Sequence, residues 1–427
     1  MIHLIGKITE KIEKTWGKFG FGEKPALSYI QISLDGTRKK GWLAYAIFEK
    51  GSESPVLYAK AYRNPRDDVL LEKEFELAKR LQTDEWLAQF LSAPISLEEI
   101  EGQKILFEMA AQGVPVSRLI QNSGIQPERF RNFTEEIVLA VAEWCGEFYK
   151  RTGKGSQVLD EKFFKERMVP VIDEFARNLS LPENERSSYL EFFKSRFEEV
   201  KGLSLPILAT HENLGPQNIL LDPSQERLCI IDWKMAREGQ PFPLRDFYNF
   251  LHYYLYCSFE CGFMEAKSAA DAFNESFVSK TGWYSSIAEK GIFAFYSAWG
   301  VDEKLDDVLF PLSLIHELNT QYELAYRFEK AELSFEKIVL DLYIANKTRH
   351  VRQEAKGDSK KLLSLTREIL LRRNLPKKGS EEALMVCELA ARTEELKLVK
   401  RDLDVILISK GYKFLKNLRE LRRRLPG

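Results

Sequence analysis

The segment LPILATHENLGPQNILLDPSQERLCIIDWKMA, residues 205–236, constrains the fold more than any other part of the chain. Around it the pattern is helical. EEIVLAVAEWCGEFYKRT lies before it and LRDFYNFLHYYLYCSFEC after it, and helical segments run on to about residue 330. The segment interrupts them with short apolar runs and a Gly-Pro loop, which predicts a loop-rich hairpin. The first 110 residues read differently. LSYIQISL, WLAYAIFE and PVLYAKAY are β-branched and aromatic runs separated by DGTRKKG and KGSES, and PISLEEIEGQKILFEMA reads as a hairpin. Between them DDVLLEKEFELAKRLQ predicts one helix, with Val69, Leu70, Leu77 and Leu81 on a shared face and Asp67–Asp68 at its N-terminus. The expected class is α+β: a small antiparallel-sheet lobe, a mainly helical lobe and a cleft between them.

A chain of 427 residues is too long for one ordinary core, so several domains are expected. Residues 1–27 hold an amphipathic helix, with Ile5, Ile8, Ile12, Trp16 and Phe19 at helical spacing, read first as docking on its own domain. Residues 28–110 form the sheet lobe, 111–330 the helical lobe, and 331–427 a lysine- and arginine-rich helical extension. The net charge of −1 gives no overall pull toward nucleic acid. Five cysteines without a CxxC pair fit reduced thiols rather than a metal site, although Cys257 and Cys261 are four apart on a helix. No apolar run approaches the ~18 residues of a membrane span, and a cytoplasmic protein is expected.

Phosphoryl transfer from a nucleotide needs a cation on the phosphates, hard oxygen ligands for Mg²⁺, and a group orienting the acceptor hydroxyl. Lys60 sits mid-strand in LYAKAY, and Glu74 follows on the next helix. His211, Asn213 and Asn218 lie in THENLGPQN, and Asp232 closes the strand IID. Each is weak evidence alone; the order and spacing of the set carry the reading.

That set resembles the aminoglycoside phosphotransferase and choline kinase-like branch of the protein kinase-like fold, over roughly residues 28–330. The branch carries H-x-D-x-x-x-x-N, then I-D-[WF], then a further aspartate opening a helix; here these fall on His211, Asn213 and Asn218, on Asp232, and on Asp246 in REGQPFPLRDFYNFL. The resemblance implies ATP and Mg²⁺, with Lys60 on the phosphates, Glu74 orienting Lys60, and Asn218 and Asp232 on the metal. It implies that His211 and Asp246 support the loop, and that backbone near Glu108–Ala110 meets the adenine. The loop DGTRKKG would cover the phosphates, although its two glycines, Gly36 and Gly41, are too few for a glycine-rich motif.

Two positions depart from the pattern. Asn213 stands where the branch has aspartate; an amide orients a hydroxyl but cannot take its proton. The neighbouring Glu212 is a weak candidate to replace that base. Lys234 follows Asp-Trp where relatives frequently carry glutamate, and nothing in the spacing requires it to reach the metal site. The implied function is therefore a phosphotransferase directed at a small hydroxylated acceptor, a sugar or amino alcohol, with slow transfer. The alternative is a pseudokinase scaffold that binds nucleotide and a protein partner.

The tail SKGYKFLKNLRELRRRLPG has seven basic residues and one acidic residue from Lys410 onward, with Leu407, Gly411, Phe414, Leu418, Leu421 and Leu425 as a narrow apolar stripe. Packing on its own chain, joining a partner helix and lying on an anionic membrane are its three readings, in that order. The tail also resembles those of kinase-like proteins that accompany bacterial surface-polysaccharide glycosyltransferases.

Overall fold

A computed structural model describes residues 2–19, 26–32, 42–52, 54–62, 64–121, 127–222, 227–240, 242 and 245–327. The chain divides into two units, Met1–His350 and Val351–Gly427, and all described residues belong to the first. The DGTRKKG loop and the basic tail lie outside the described residues.

Helix α1 (Ile2–Thr15) precedes five antiparallel strands: β1 (Leu27–Ile32), β2 (Trp42–Glu49), β3 (Leu57–Tyr62), β4 (Pro94–Ile100) and β5 (Gln103–Met109). Their spatial order is β1-β2-β3-β5-β4. Helix α2 (Asp68–Leu81) and the one-turn α3 (Glu85–Ala88) fall between β3 and β4. The β4–β5 turn uses Glu101 and Gly102, both at positive φ (56° and 74°), as the twist of a tight hairpin requires. Alternation along β3 then sorts its side chains. Leu57, Ala59 and Ala61 join Tyr45, Ile47, Ile105 and Phe107 in one apolar cluster, which is closed by Ile8 and Ile12 of α1 and by Trp16 in the 3-10 turn that follows it. Lys60, between Ala59 and Ala61, is left for the opposite face.

Helix α2 buries Leu77 and Leu81 of its expected apolar face but departs from it in the first turn. Val69 is exposed, and the buried row is Leu71, Glu74, Leu77, Ala78 and Leu81. The cause is polar: Glu74 is held inward by Lys60, and Asp68 accepts the Lys104 amide at 3.0 Å instead of capping the helix.

The helical lobe begins with β6 (Val114–Pro115), α4 (Val116–Gln121), α5 (Pro127–Thr152), β7 (Lys154–Val158), α6 (Glu161–Phe163), α7 (Val169–Asn178), α8 (Glu183–Val200) and β8 (Ser204–Thr210). Next come β9 (Ile219–Asp222), β10 (Arg227–Ile230) and β11 (Arg237–Gln240). Helices α9 (Asp246–Glu260), α10 (Ala269–Phe273), α11 (Trp283–Trp299) and α12 (Asp306–Arg327) complete it. The interrupting segment is more than a hairpin. Its strands join two three-stranded sheets, β10-β9-β6 and β11-β8-β7, and the loop 211–218 passes from one to the other.

Helices α5 and α11 approach closely because each offers a glycine. A Cβ on Gly146 would lie 2.6 Å from the Phe295 carbonyl oxygen, and one on Gly291 would lie 2.6 Å from Val138 Cγ1. The two lobes are joined by short links. The Ile230 amide donates to the Phe90 carbonyl at 2.7 Å, and Leu77 and Leu81 of α2 enter the same core as Trp233. Cys145 and Cys229 are buried free thiols, whereas Cys257 and Cys261 are only half-buried. Among the described residues no group of His, Cys, Asp and Glu is set to hold a metal, and no helix is long and apolar enough to cross a membrane.

Two predictions test this packing. Trp16→Ala empties a site only 2% exposed and should cost about 3–5 kcal/mol in urea denaturation, because α1 is part of the sheet's core. His252 lies among Phe273, Phe277 and Phe310, and burial lowers its pKa to about 4 against a small opposing pull from Glu317. It stays neutral in the fold and charges on unfolding, so its contribution is present above pH 6.5 and is lost as pH falls toward 4. Relative to His252→Phe, the natural protein should lose on the order of 3 kcal/mol across that window, read from paired denaturation curves.

Candidate active site

Lys60 reaches the cleft because β3 alternates, and it is 7% exposed there. Such an ammonium needs anions. Its Nζ lies 3.0 Å from Glu74 Oε1 and 2.8 Å from Glu108 Oε1. Burial alone would lower the pKa of Lys60, but Glu108, Glu74 and Asp232 overturn this and hold it above the ordinary lysine value. One ammonium shared by two carboxylates leaves an acid in excess. Burial, opposed by Lys60 and reinforced by Glu74, pushes the Glu108 carboxyl up to about 7.

The side chain of Glu108 was not anticipated; only its backbone was. Register explains it. Glu108 stands opposite Tyr58 and Leu106 opposite Lys60 across the β3–β5 ladder, so Glu108 and Lys60 share a face. An acid inside the buried strand KILFEM was the available signal. Ala110, expected beside the adenine, has its backbone engaged: its amide donates to the Val56 carbonyl at 3.0 Å, and its carbonyl accepts the Gln112 side chain at 3.2 Å.

Across the cleft, Asp246 opens α9 fully buried and accepts three hydrogen bonds: the His211 amide at 2.9 Å, the Glu212 amide at 2.8 Å and the Tyr149 hydroxyl at 2.9 Å. Burial and Glu212 push its pKa up to about 7, against these three donors. Tyr149 comes from α5 and packs edge-on to Phe295 and Trp299 of α11. It lies in an apolar stripe, where no sequence pattern marked it. His211 holds the loop from the other side. Its Nε2 meets the Ile231 carbonyl at 3.0 Å and its Nδ1 accepts the Asn213 amide at 3.3 Å, which assigns a neutral imidazole with the proton on Nε2. Burial lowers its pKa to about 4, in keeping with that form.

These two supports fix what lies between them. Glu212 is forced to φ 65°, and its carboxylate accepts the Thr210 hydroxyl at 2.6 Å inside the protein. Asn213 directs its Nδ2 toward Asp232 Oδ2 at 3.5 Å, a long contact, while the Asn218 Nδ2 donates to the Asn213 carbonyl at 2.8 Å. Asp232 is itself left-handed, at φ 69° and ψ 57°, immediately before the 3-10 turn Trp233–Met235. Its Coulombic pull on Lys60 spans the two lobes.

Lys234, from which the sequence yielded no reading, places its Nζ 3.1 Å from Asp232 Oδ2. A short turn brings residue 234 back over residue 232. The Asn218 bond uses only the nitrogen of its amide, so the misfit for Mg²⁺ and its near-octahedral shell of oxygens lies at Asp232, whose Oδ2 is paired with the Lys234 ammonium. At an effective dielectric near 20, unit charges 4 Å apart repel by about 4 kcal/mol, and a dication beside that ammonium doubles the figure.

A lysine–glutamate pair under a five-stranded sheet thus faces a braced loop and a strand-end aspartate on a helical lobe. The architecture is the two-lobed α+β one expected from the sequence. No family model matches the chain, and no curated protein does. Among solved structures it is similar to an aminoglycoside phosphotransferase from Streptomyces rimosus, 17% identical over 72% of this chain and 96% of that one, with a TM-score of 0.36. Glucosamine kinase is 11% identical over 78% of this chain and 79% of its own, with a TM-score of 0.42. A complex of APH(2'')-IIia with GDP and kanamycin is 13% identical over 80% and 99%, with a TM-score of 0.39.

Lys60→Met would strand Glu74 and Glu108 without their shared cation. It should destabilise the protein by about 3–5 kcal/mol in urea, and adding Glu108→Leu should return part of that loss.

Proposed function

We propose that the chain binds a nucleoside triphosphate in the cleft between its lobes, as a kinase-like phosphotransferase with a weakened transfer step. The observation that carries this is the buried Lys60–Glu74 pair at 3.0 Å, held within the electrostatic reach of Asp232 from the other lobe. A phosphate chain entering the cleft takes the Lys60 ammonium from Glu108, the acid that burial already favours in its neutral form. Glu74 keeps Lys60 aimed. His211 and Asp246 hold the loop so that Asn213 presents an amide to the acceptor hydroxyl, with a sugar or amino alcohol as the acceptor class.

An amide orients the hydroxyl without accepting its proton. Glu212 does not replace the missing base, because its carboxylate is buried, with Oε1 on the Thr210 hydroxyl. The transfer step therefore runs without general-base help, a loss of about 10²–10⁴-fold. Phosphoryl transfer depends chiefly on positioning and charge, so slow turnover remains chemically open to this site. A scaffold that holds nucleotide without transferring it is the second reading, favoured by Asn213 itself.

ATP, offered with and without Mg²⁺, should raise the melting temperature of the natural protein. The gain approaches about 2.7 kcal/mol at a hundred times the dissociation constant, and Lys60→Met should abolish it. No shift under either condition would remove the nucleotide reading. In turnover assays over a panel of hydroxylated acceptors, Asn213→Asp should exceed the natural protein by about 10²-fold or more. Turnover by the natural protein above background supports the enzyme; background turnover alone supports the scaffold.

A further inference from the structure

The place where a divalent cation would be expected already carries a positive charge from the chain. Lys234 Nζ sits 3.1 Å from Asp232 Oδ2, and the two side chains are only 24% and 18% exposed. This is not a loose surface pair. Asp232 is fixed in the left-handed region, and the turn that follows is anchored by Trp233, which is 3% exposed. The Trp233 indole donates to the Ile230 carbonyl at 3.1 Å and meets the His211 ring edge-on at 4.6 Å. The backbone that delivers Lys234 is thus tied to the same histidine that supports the catalytic loop.

We propose that Lys234 takes the place of the divalent cation, so that Lys60 and Lys234 together hold the nucleotide phosphates and binding needs no metal. This rests on the nucleotide reading of the cleft. An ammonium offers three donors with no demand for octahedral geometry, so it can bridge a carboxylate oxygen and a phosphate oxygen at once. The surrounding groups agree with this exchange. The Asn213 amide also approaches Asp232 Oδ2 as a donor, 3.5 Å away. Two donors therefore address the same carboxylate oxygen of Asp232, Oδ2. With Lys234 paired to Asp232 and Lys60 to Glu74, protonation of Glu108 leaves the cleft without net negative charge from these groups.

The test is ATP affinity by calorimetry on the full chain, in EDTA and in millimolar Mg²⁺. The natural protein should bind equally in both, within about twofold. Lys234→Gln should lose about tenfold in EDTA, the scale of one charge-assisted contact, and regain affinity on adding Mg²⁺. Lys234→Arg should keep the metal-free affinity. The side chain is partly exposed, so all three proteins should fold, as circular dichroism will check. If Mg²⁺ tightens ATP binding by the natural protein about tenfold while Lys234→Gln behaves identically, this inference is overturned and the nucleotide reading stands. If the natural protein binds ATP under neither condition, both fall.

Discussion

A lysine ammonium shut away from water persists only if carboxylates surround it, and the sheet lobe is arranged around that requirement at Lys60. Glu74 is the reason α2 buries a charged residue in an otherwise apolar row. Glu108 is the reason the last strand of the hairpin turns an acid inward toward the neighbouring strand. The opposite face of the same sheet carries an apolar cluster closed by α1, with Glu98 on that face paired to Lys11. One strand thus separates a dry core from a charged cleft through nothing more than the alternation of its side chains.

The helical lobe solves a different problem, that of holding an irregular loop still. Backbone between two small sheets has no ladder of its own, so its amides need other acceptors. Asp246 takes two of them and the Tyr149 hydroxyl as well. His211 supplies the counterpart through a neutral ring that both donates and accepts. Between these supports Glu212 and Asp232 both adopt left-handed backbone, which non-glycine residues accept only when their surroundings over-determine them.

Much of this was legible in the residues. The run WLAYAIFE is β2 to the residue, and period-two alternation alone sends Lys60 away from Leu57, Ala59 and Ala61. Glu74 was legible from its place on the helix after that strand. What escaped was long-range and relational. The inward turn of Glu108 depends on the register between β3 and β5. The rotation of α2 follows a polar pair rather than the apolar residues Val69 and Leu70. Tyr149 acts through a hydroxyl on a helix whose sequence shows only a hydrophobic stripe. Lys234 was visible as a departure, but its reach to Asp232 is set by a three-residue turn that spacing does not describe.

The glycines at the α5–α11 crossing carry a consequence for regions far from any substrate. The two helices interlock so tightly that even a methyl group at 146 or 291 acts as a wedge. Tyr149 stands one turn beyond Gly146 with its ring braced by α11, so prising the helices apart withdraws its hydroxyl from Asp246. The loop's anchorage is therefore governed by steric clearance deep in the interior. Lesions there would slacken the 211–218 loop while leaving every residue that lines the cleft unchanged.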